Sequence, residues 1–249
     1  MKPLENKIAL VTGVGRSAGI GAAICRELAQ NGADIFFTYW HQYDQETYLE
    51  SKNDINAITA ELENFDIKVK SKEVDLADPE SAEVLFQVVE SELGTPTILI
   101  NNACHDFEVP FTELSPEILD KHYAVNVRAV TMLVKEFVKR EKAGQIINMT
   151  SGQSLGSMGG HKAPYTITKA ALEMLAPQLA PELNRLSISI NSLDPGPTDT
   201  GWMSEDMREM VLKDSKKGRI TTPEDIGKLV GEILTENKYT NGEVIHVDW

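Results

Sequence analysis

The side chains best suited to proton transfer are a tyrosine and a lysine four positions apart, Tyr165 and Lys169. On a helix, residues at i and i+4 share one face, so the ammonium group would lie beside the phenol. A free phenol has a pKa of about 10, roughly three pH units above neutrality. One positive charge about 4 Å away favours the phenolate by roughly 4 kcal/mol, which is the size of that gap. We therefore expect Lys169 to lower the pKa of Tyr165, although a lysine at this spacing also arises by chance.

A second candidate site is the glycine-rich turn TGVGRSAGIG, which begins at Thr12 and ends at Gly21. Glycines let backbone N–H groups approach a pyrophosphate, and the N-terminus of a following helix favours its negative charge. The turn lies between the first predicted strand and the first predicted helix, which is typical of a dinucleotide site. We therefore predict dinucleotide contacts at Gly13, Gly15, Gly19 and Ile20.

The residues around this turn favour the phosphorylated form of the dinucleotide. An NAD enzyme usually carries an acid near the end of the second strand, where it binds the ribose 2′-hydroxyl. Here that strand ends in Tyr39 and Trp40, whereas Arg16 in the turn can meet a 2′-phosphate. We therefore expect NADP(H) in preference to NAD(H), with Arg16 and Tyr39 among its contacts. NAD(H) stays open as the alternative because three acids follow closely, namely Asp44, Glu46 and Glu50.

Strands and helices alternate along the chain. The predicted strands are 8–12, 34–40, 68–75, 97–101, 145–150, 187–194 and 243–247. The predicted helices are 54–64, 79–93, 115–142, 165–184 and 223–236, and an apolar stripe at Ile20, Ile24 and Leu28 marks another. Several strands are apolar on both faces, as expected when helices cover both sides of a parallel sheet. We predict an α/β fold with one doubly wound Rossmann domain over 1–249 and a seven-stranded parallel sheet with helices on both faces.

Composition excludes several classes of protein. With 41% apolar and 25% charged residues the chain is neither disordered nor fibrous, and its net charge of −14 disfavours nucleic acid and anionic membranes. Two cysteines imply no disulfide framework, so we expect a cytoplasmic protein without a signal peptide or membrane span. No His, Cys and Asp cluster has the spacing of metal ligands, so we predict no catalytic metal.

Further motifs follow in a fixed order after the glycine turn. They are Asp75-Leu76, Asn101-Asn102-Ala103-Cys104, Asn126, Ser151, Tyr165 with Lys169, Pro195-Gly196-Pro197-Thr198 and the tail 241–248. Over essentially the whole chain this order resembles the short-chain dehydrogenase/reductase family. The resemblance implies reduction of a carbonyl to an alcohol by hydride transfer, with 3-oxoacyl-(acyl-carrier-protein) reductases as the members closest in pattern.

The resemblance also implies a role for each motif. Tyr165 would be the general acid, Lys169 would lower its pKa and bind the nicotinamide ribose, Ser151 would bind the substrate oxygen, and Asn126 would anchor a relay water. Negative charge that builds on the carbonyl oxygen needs such a donor and a proton. The cofactor contacts implied in addition are Asp75 and Leu76 near the adenine, Asn102, Ala103, Pro195, Gly196 and Thr198.

The chain departs from the family pattern in several places. The glycine turn is two residues longer than usual, as in the enoyl-reductase branch, but that branch places its lysine seven residues after the tyrosine, where this chain has Leu172. We therefore prefer a carbonyl reductase. Ser151 precedes Tyr165 by one residue more than usual, which leaves Ser154 as an alternative. Cys104 replaces a glycine, and we prefer a small buried filler there to a reactive thiol.

The substrate itself is not specified by the sequence. Residues 198–218 occupy the place of the family's substrate lid, and their stripe of Met203, Met207, Met210 and Val211 either docks on the body or lines an apolar pocket. His105 and Asp106 either line the mouth of the site or are exposed loop residues. We expect a small carbonyl or alcohol as substrate.

Macromolecular partners are equally open. An acidic acyl carrier protein would need a basic patch, for which Lys135, Lys139, Arg140 and Lys142 are candidates, but 171–183 contains no lysine or arginine. We expect a homodimer or homotetramer packed through 115–142 and 165–184, with Trp249 altering a subunit contact. Three other functions stay open: an NAD-dependent alcohol or sugar dehydrogenase, a non-catalytic NADP(H)-sensing regulator, and an isomerase or dehydratase.

Overall fold

The computed structural model describes residues 2–47, 54–152, 159–236 and 240–247. Within them the strands form one parallel sheet of order β3-β2-β1-β4-β5-β6-β7. The strands are β1 (Ile8–Val11), β2 (Asp34–Tyr39), β3 (Val69–Glu73), β4 (Ile98–Asn101), β5 (Gly144–Met149), β6 (Ile188–Asp194) and β7 (Val244–His246). The predicted seven-stranded, doubly wound sheet is confirmed.

The central strands are apolar on both faces because each face supports its own core. Leu10 pairs with Phe36 and Leu99, and all three pack into one apolar layer. The next residue of β1, Val11, pairs with Phe37 and packs into the layer on the opposite face. Because successive side chains of a strand point to opposite sides, an unbroken apolar run fills both layers.

Helices cover both faces. They are α1 (Ile20–Gln30), α2 (His41–Thr47), α3 (Ile55–Glu63), α4 (Ser81–Glu92), α5 (Pro116–Tyr123), α6 (Val130–Val138), α7 (Ala163–Glu173), α8 (Leu175–Leu183), α9 (Glu205–Asp214) and α10 (Pro223–Thr235). Apolar residues of α1, α3 and α10 pack on one face, and those of α4, α6 and α8 pack on the other. None of the helices in the described ranges is long and apolar enough to cross a membrane.

The two long predicted helices are each interrupted. The segment predicted as 115–142 consists of α5, a π-helical turn at Ala124–Ala129 and α6. The segment predicted as 165–184 breaks between α7 and α8, where Pro177 has no N–H to donate to the carbonyl of Glu173. Apolar periodicity continues through both interruptions, which is why the sequence predicts single helices.

The candidate site residues lie at one edge of the sheet. The strands β1, β4, β5 and β6 are adjacent and parallel, so their carboxyl ends meet there. The loops that leave these ends carry Gly13, Asn102, Ser151 and Pro195 respectively. In open parallel sheets this edge is where ligands bind.

Candidate active site

Three of the predicted catalytic side chains meet at this edge. Tyr165 and Lys169 lie on α7, with the Lys169 Nζ 5.7 Å from the centre of the Tyr165 ring. The Ser151 side chain, directly after β5, is hydrogen-bonded to that of Tyr165. Lys169 is only 3% exposed and donates a hydrogen bond of 2.7 Å to the carbonyl oxygen of Met149. The buried ammonium therefore has a fixed position beside the phenol.

The pKa of Tyr165 differs from the sequence expectation. Burial, followed by the nearby Cys104 and Asp106, raises the pKa of the phenol well above its usual value, and the hydrogen bond from Ser151 opposes this only partly. Burial also disfavours the charged form of Lys169 and therefore lowers its pKa, although Cys104, Asp106 and Asp194 act to raise it. The expectation of a lowered Tyr165 pKa is thus wrong for this structure, because desolvation and the nearby acidic groups raise it and the Ser151 hydrogen bond lowers it only partly. At neutral pH Tyr165 is protonated, as a proton donor must be.

Asn126 lies in the π-helical turn and is completely buried. Its amide oxygen accepts from the backbone N–H of His105 at 2.7 Å, and its amide nitrogen donates to the carbonyl oxygen of His105 at 2.9 Å. The same nitrogen lies 3.0 Å from the hydroxyl oxygen of Thr168 on α7. Asn126 therefore joins the loop after β4 to the helix that carries Tyr165 and Lys169.

The glycine turn packs directly against the loop after β4. Gly13 has a φ of +74°, and a Cβ atom there would lie 2.6 Å from the Cα of Ala103. Asn102 Nδ2 donates to the carbonyl oxygens of Thr12 and Gly13, each at 2.9 Å. Gly19 is the N-cap of α1, which starts at Ile20, and no side chain caps the first backbone N–H groups of that helix. The first turn also contains no acidic residue that would repel an anion. This N-terminus fits the phosphate groups of a dinucleotide.

Arg16 and Asp44 meet at the predicted ribose end of the site. Arg16 Nη1 donates to the carbonyl oxygen of Thr200 at 3.2 Å, so the arginine spans from the glycine turn to the segment before α9. The Asp44 carboxylate lies over Gly15, where a Cβ atom would come within 1.8 Å of its Oδ2. Burial raises the pKa of Asp44, and Arg16 and His41 oppose that shift. Charges of both signs therefore face the place where the sequence predicts a 2′-phosphate.

The other predicted cofactor contacts lie along the same edge. Tyr39 ends β2, and Asp75 and the buried Leu76 follow β3, where the Asp75 carboxylate accepts from the N–H of Ala77 at 2.8 Å. After β6, the N–H of Gly196 donates to Asp194 Oδ1 at 3.0 Å, and the hydroxyl of Thr198 donates to the carbonyl oxygen of Pro195 at 3.1 Å.

The departures from the family pattern have structural outcomes. Cys104 is partly exposed rather than buried as expected, and the desolvation it does have raises the pKa of its thiol, which argues against a reactive thiolate. Ser154, Glu50 and Trp249 lie outside the described residues. In the predicted lid, Met203 and Val211 are buried while Met210 on α9 is 56% exposed, so the apolar stripe docks only in part.

Besides Lys169, two further charged side chains, Lys162 and Asp106, lie near Tyr165. Lys162 Nζ lies 5.8 Å from the centre of the Tyr165 ring and 2.6 Å from Asp106 Oδ2. The sequence draws attention to Asp106 because it follows the Asn-Asn-Ala turn, whereas nothing in the sequence singles out Lys162. In the part of the chain that the structure describes, no group of three or more His, Cys, Asp or Glu side chains could hold a metal ion.

Known proteins resemble this chain over nearly its whole length. The family model described as enoyl-(acyl carrier protein) reductase matches residues 13–249. The uncharacterised oxidoreductase YjdA of Bacillus subtilis is 37% identical over 99% of this chain and 97% of its own length. The 3-oxoacyl-(acyl-carrier-protein) reductase FabG of Escherichia coli is 31% identical over 98% of this chain and 96% of its own.

Solved structures share the fold as well. A short-chain dehydrogenase from Burkholderia cenocepacia, solved in complex with NADP, superposes with a TM-score of 0.87 at 27% identity, covering 99% of this chain and 98% of its own. A buried ammonium, a protonated phenol and a serine hydroxyl at the carboxyl edge can bind a carbonyl oxygen and protonate it. Together with the matches above, this arrangement assigns the chain to the short-chain dehydrogenase/reductase family of oxidoreductases.

Proposed function

We propose that the protein reduces a small aldehyde or ketone to an alcohol, using NADP(H). One observation carries the proposal: the hydroxyl-bearing side chains of Ser151 and Tyr165 are hydrogen-bonded at the carboxyl edge of the sheet, with the Lys169 ammonium buried beside them. Reduction of a carbonyl needs a donor at the oxygen and a proton that follows the hydride. Those three residues supply both.

The chain's own residues would act in the following way. Ser151 and Tyr165 would bind the substrate oxygen, and the phenol would release its proton to that oxygen as negative charge develops. Lys169, fixed by the carbonyl of Met149, would stabilise the phenolate that this leaves. When bound, the cofactor supplies the hydride, and the glycine turn with Asn102 would hold it.

The position of the lysine on α7 supports carbonyl reduction over enoyl reduction. The family model carries an enoyl-reductase description, but the position seven residues after Tyr165 is Leu172, which is 2% exposed and packed inside the protein. A leucine there has no ammonium to offer the phenol. The lysine that reaches the phenol is Lys169, four residues after it.

The choice of NADP(H) is supported by Arg16 and by the NADP complex of the Burkholderia relative. A guanidinium group recognises phosphate well because its donors match the phosphate oxygens. Asp44 favours NAD(H) instead, since a carboxylate over Gly15 repels a 2′-phosphate and accepts from a ribose hydroxyl. Competing titrations of NADPH and NADH distinguish the two, and tighter binding of NADH would reject our assignment.

Dependence on acyl carrier protein is not supported by the charges on α6. Of the basic patch considered for docking, Lys139 lies 2.7 Å and Arg140 2.6 Å from carboxylate oxygens of the buried Glu136. Arg140 is also 3.2 Å from Glu90. Because these cations are already paired with acids, they offer an acidic partner little net attraction.

Replacing Tyr165 by phenylalanine tests the function. The change removes only the hydroxyl, so we expect kcat for carbonyl reduction to fall by about 10²–10⁴-fold while NADPH still binds with nearly unchanged affinity. NADPH oxidation in the presence of ketones and aldehydes measures the first quantity, and fluorescence titration of NADPH measures the second. Turnover close to that of the unmodified enzyme would rule out Tyr165 as the acid.

The same assay separates the alternative functions. A cofactor-sensing regulator would bind NADPH and show no turnover with any carbonyl compound. An isomerase or dehydratase would convert its substrate without net oxidation of NADPH. An intact set of Ser151, Tyr165 and Lys169 favours the reductase, because a sensor needs no proton donor.

We further propose a cytoplasmic homodimer or homotetramer and a substrate lid at 198–218. The assembly is supported by two exposed apolar side chains on the helices that the sequence assigns to it, Ile167 at 47% and Met174 at 56%. The lid is supported by its partial docking, because only part of its apolar stripe is buried.

A further inference from the structure

Asp194, the last residue of β6, carries a carboxylate that the proposed reaction does not use. The residue is only 4% exposed. β5 and β6 are paired up to Met149 and Leu193, and the N–H of Thr150 continues the pairing to the carbonyl of Leu193 at 2.8 Å. Asp194 therefore lies beside the start of the loop that carries Ser151. A buried carboxylate in such a place is costly unless polar groups bind it.

Each oxygen of the Asp194 carboxylate has a partner on a different segment. Oδ1 accepts from the N–H of Gly196 at 3.0 Å, which closes a turn around Pro195. Gly196 has a φ of +62°, a left-handed conformation that favours glycine. Oδ2 lies 3.0 Å from Nδ1 of His246, which is also the strand partner of Asp194 on β7. The carboxylate therefore shapes the turn at 195–198, whose residues the family resemblance assigns to the cofactor.

The loop after β5 contacts the same carboxylate at Gly152, the residue that follows Ser151. A Cβ atom at Gly152 would lie 2.3 Å from Oδ2 of Asp194 and 3.1 Å from its Cγ. Apart from its neighbours in the chain, the three atoms nearest to that Cβ position all belong to the Asp194 carboxyl group. Only glycine therefore fits here, because an added methyl group would displace either the carboxylate or the loop.

Hydride transfer depends on the spacing of the two segments that this carboxylate contacts. Ser151 would set the position of the substrate oxygen, and the turn after β6 would set that of the cofactor. The reacting atoms must lie about 3–3.5 Å apart, and a displacement of about 1 Å can lower the rate about 10²-fold. A carboxylate that contacts both segments can therefore fix the distance between substrate and cofactor.

We propose that Asp194 is a positioning residue for the reduction. Its carboxylate holds the turn after β6 at a fixed distance from the loop that carries Ser151, and His246 fixes the orientation of the carboxylate. The inference rests on the proposed carbonyl reduction. In this role Asp194 acts through Gly196 and Gly152 rather than on the substrate, so a neutral side chain of the same shape can replace it.

Two substitutions of Asp194 test this role. Asp194→Ala removes both oxygens, so we expect kcat at saturating NADPH and carbonyl compound to fall about 10-fold to 10²-fold, and NADPH to bind about three- to tenfold more weakly. Asp194→Asn keeps an oxygen for Gly196 and an amide for Nδ1 of His246, so both values should stay within about threefold of the unmodified enzyme. Normal kcat in Asp194→Ala, or an equal loss in both variants, would overturn the inference.

Asp225→Ala is the matched control for a general effect on stability. The Asp225 carboxylate accepts from the N–H of Thr222 at 2.9 Å and is paired with Arg219 at the start of α10. Loss of this cap should lower the free energy of unfolding, as measured with urea, while kcat stays normal. A loss of kcat in Asp225→Ala as large as that in Asp194→Ala would show that destabilisation alone explains the result, and would reject the positioning role.

Gly152→Ala tests the contact from the other side and keeps every hydrogen-bonding group. The added methyl group would overlap the carboxylate, so we expect kcat to fall at least about tenfold. Asp194→Ala removes the overlap, so the double variant should be no slower than Asp194→Ala alone, whereas the losses of two independent sites would multiply. Normal kcat in Gly152→Ala, or multiplied losses in the double variant, contradict the assignment.

Failure of this inference is distinguishable from failure of the proposed function. If Tyr165→Phe abolishes turnover while Asp194→Ala and Gly152→Ala keep it, only the role of Asp194 is rejected. If Tyr165→Phe keeps turnover at the normal rate, the proposed function itself is rejected.

Discussion

Two side chains of opposite charge, Arg16 and Asp44, lie at the part of the site predicted to bind the cofactor ribose. Arg16 and Asp44 both reach the glycine turn, one from within it and one from α2. An arginine favours a 2′-phosphate and an aspartate disfavours it, so we propose that their balance sets the preference between NADP(H) and NAD(H). The Asp44 carboxylate is partly buried, so its charge is less screened than a surface charge would be.

Replacing Asp44 by asparagine therefore shifts cofactor preference. The change removes a negative charge beside Arg16 while keeping the side chain's size, and we expect NADPH to bind about three- to tenfold more tightly, with NADH binding weakened or unchanged. Fluorescence titration of each cofactor measures this. Glu46→Gln on the same helix is the control, because Glu46 is exposed and hydrogen-bonded to Gln42. Weaker NADPH binding in Asp44→Asn would contradict the expectation.

The sequence predicts which side chains lie in the site better than it predicts their pKa values. Tyr165 and Lys169 lie together as their helical spacing predicts, and Ser151, which the family resemblance singles out, is hydrogen-bonded to Tyr165. The direction of the Tyr165 pKa shift could not be predicted, since it depends on how completely neighbouring segments remove water from the phenol. Lys162 was not identified for a similar reason, as its approach to Tyr165 depends on the loop that carries Asp106.

Among the secondary-structure elements, the π-helical turn at Ala124–Ala129 matters most to the site. It places the Asn126 amide where both its donor and its acceptor serve the backbone of His105. Apolar periodicity alone does not reveal such a turn, because the residues on either side keep a helical pattern. The sequence therefore predicts one continuous helix over 115–142, while the seven parallel strands of a doubly wound sheet are predicted correctly.

Replacing Asn126 by alanine should destabilise the protein and impair the site. The buried amide is lost and the N–H and carbonyl of His105 lose their partners, so we expect the free energy of unfolding to fall by about 2–3 kcal/mol. Urea unfolding measures this, and kcat/KM should fall as well. Thr131→Ala on α6 is the control, because its exposed hydroxyl bonds only the carbonyl of Val127. Equal stability of the two variants would show that Asn126 does not anchor the loop.

For the molecule as a whole, the stability should depend on pH through a partly buried histidine. His105 packs between the rings of Tyr43 and His122, with centroids at 5.5 and 4.7 Å. Burial, followed by the nearby His122, lowers the pKa of His105 from 6.5 to about 4. Between those values the unfolded chain binds a proton at this residue and the folded chain does not. Stability is therefore lost as the pH falls from 6.5 to about 4.

Replacing His105 by phenylalanine should remove that dependence. A phenylalanine ring can keep the tilted and edge-on contacts with Tyr43 and His122, and the backbone bonds to Asn126 are kept, but the titrating group is gone. We expect the variant to lose less stability than the unmodified protein between pH 7 and pH 5, as measured by urea unfolding at both pH values. His161→Phe serves as the control, since that side chain is half exposed. The same acid sensitivity in His105→Phe as in the unmodified protein would refute this assignment.

The loop after β4 is held in place mainly by hydrogen bonds to its main chain. Its hydrogen bonds to Asn126, Tyr43 and His122 are made by main-chain atoms of the loop, and the N–H of Val109 likewise bonds the carbonyl of His161. Side chains at 105–108 can therefore be exchanged without cutting the ties that hold the backbone. That makes this stretch a natural place to engineer new selectivity, provided that Asp106, whose carboxylate acts on the neighbouring Tyr165, is kept.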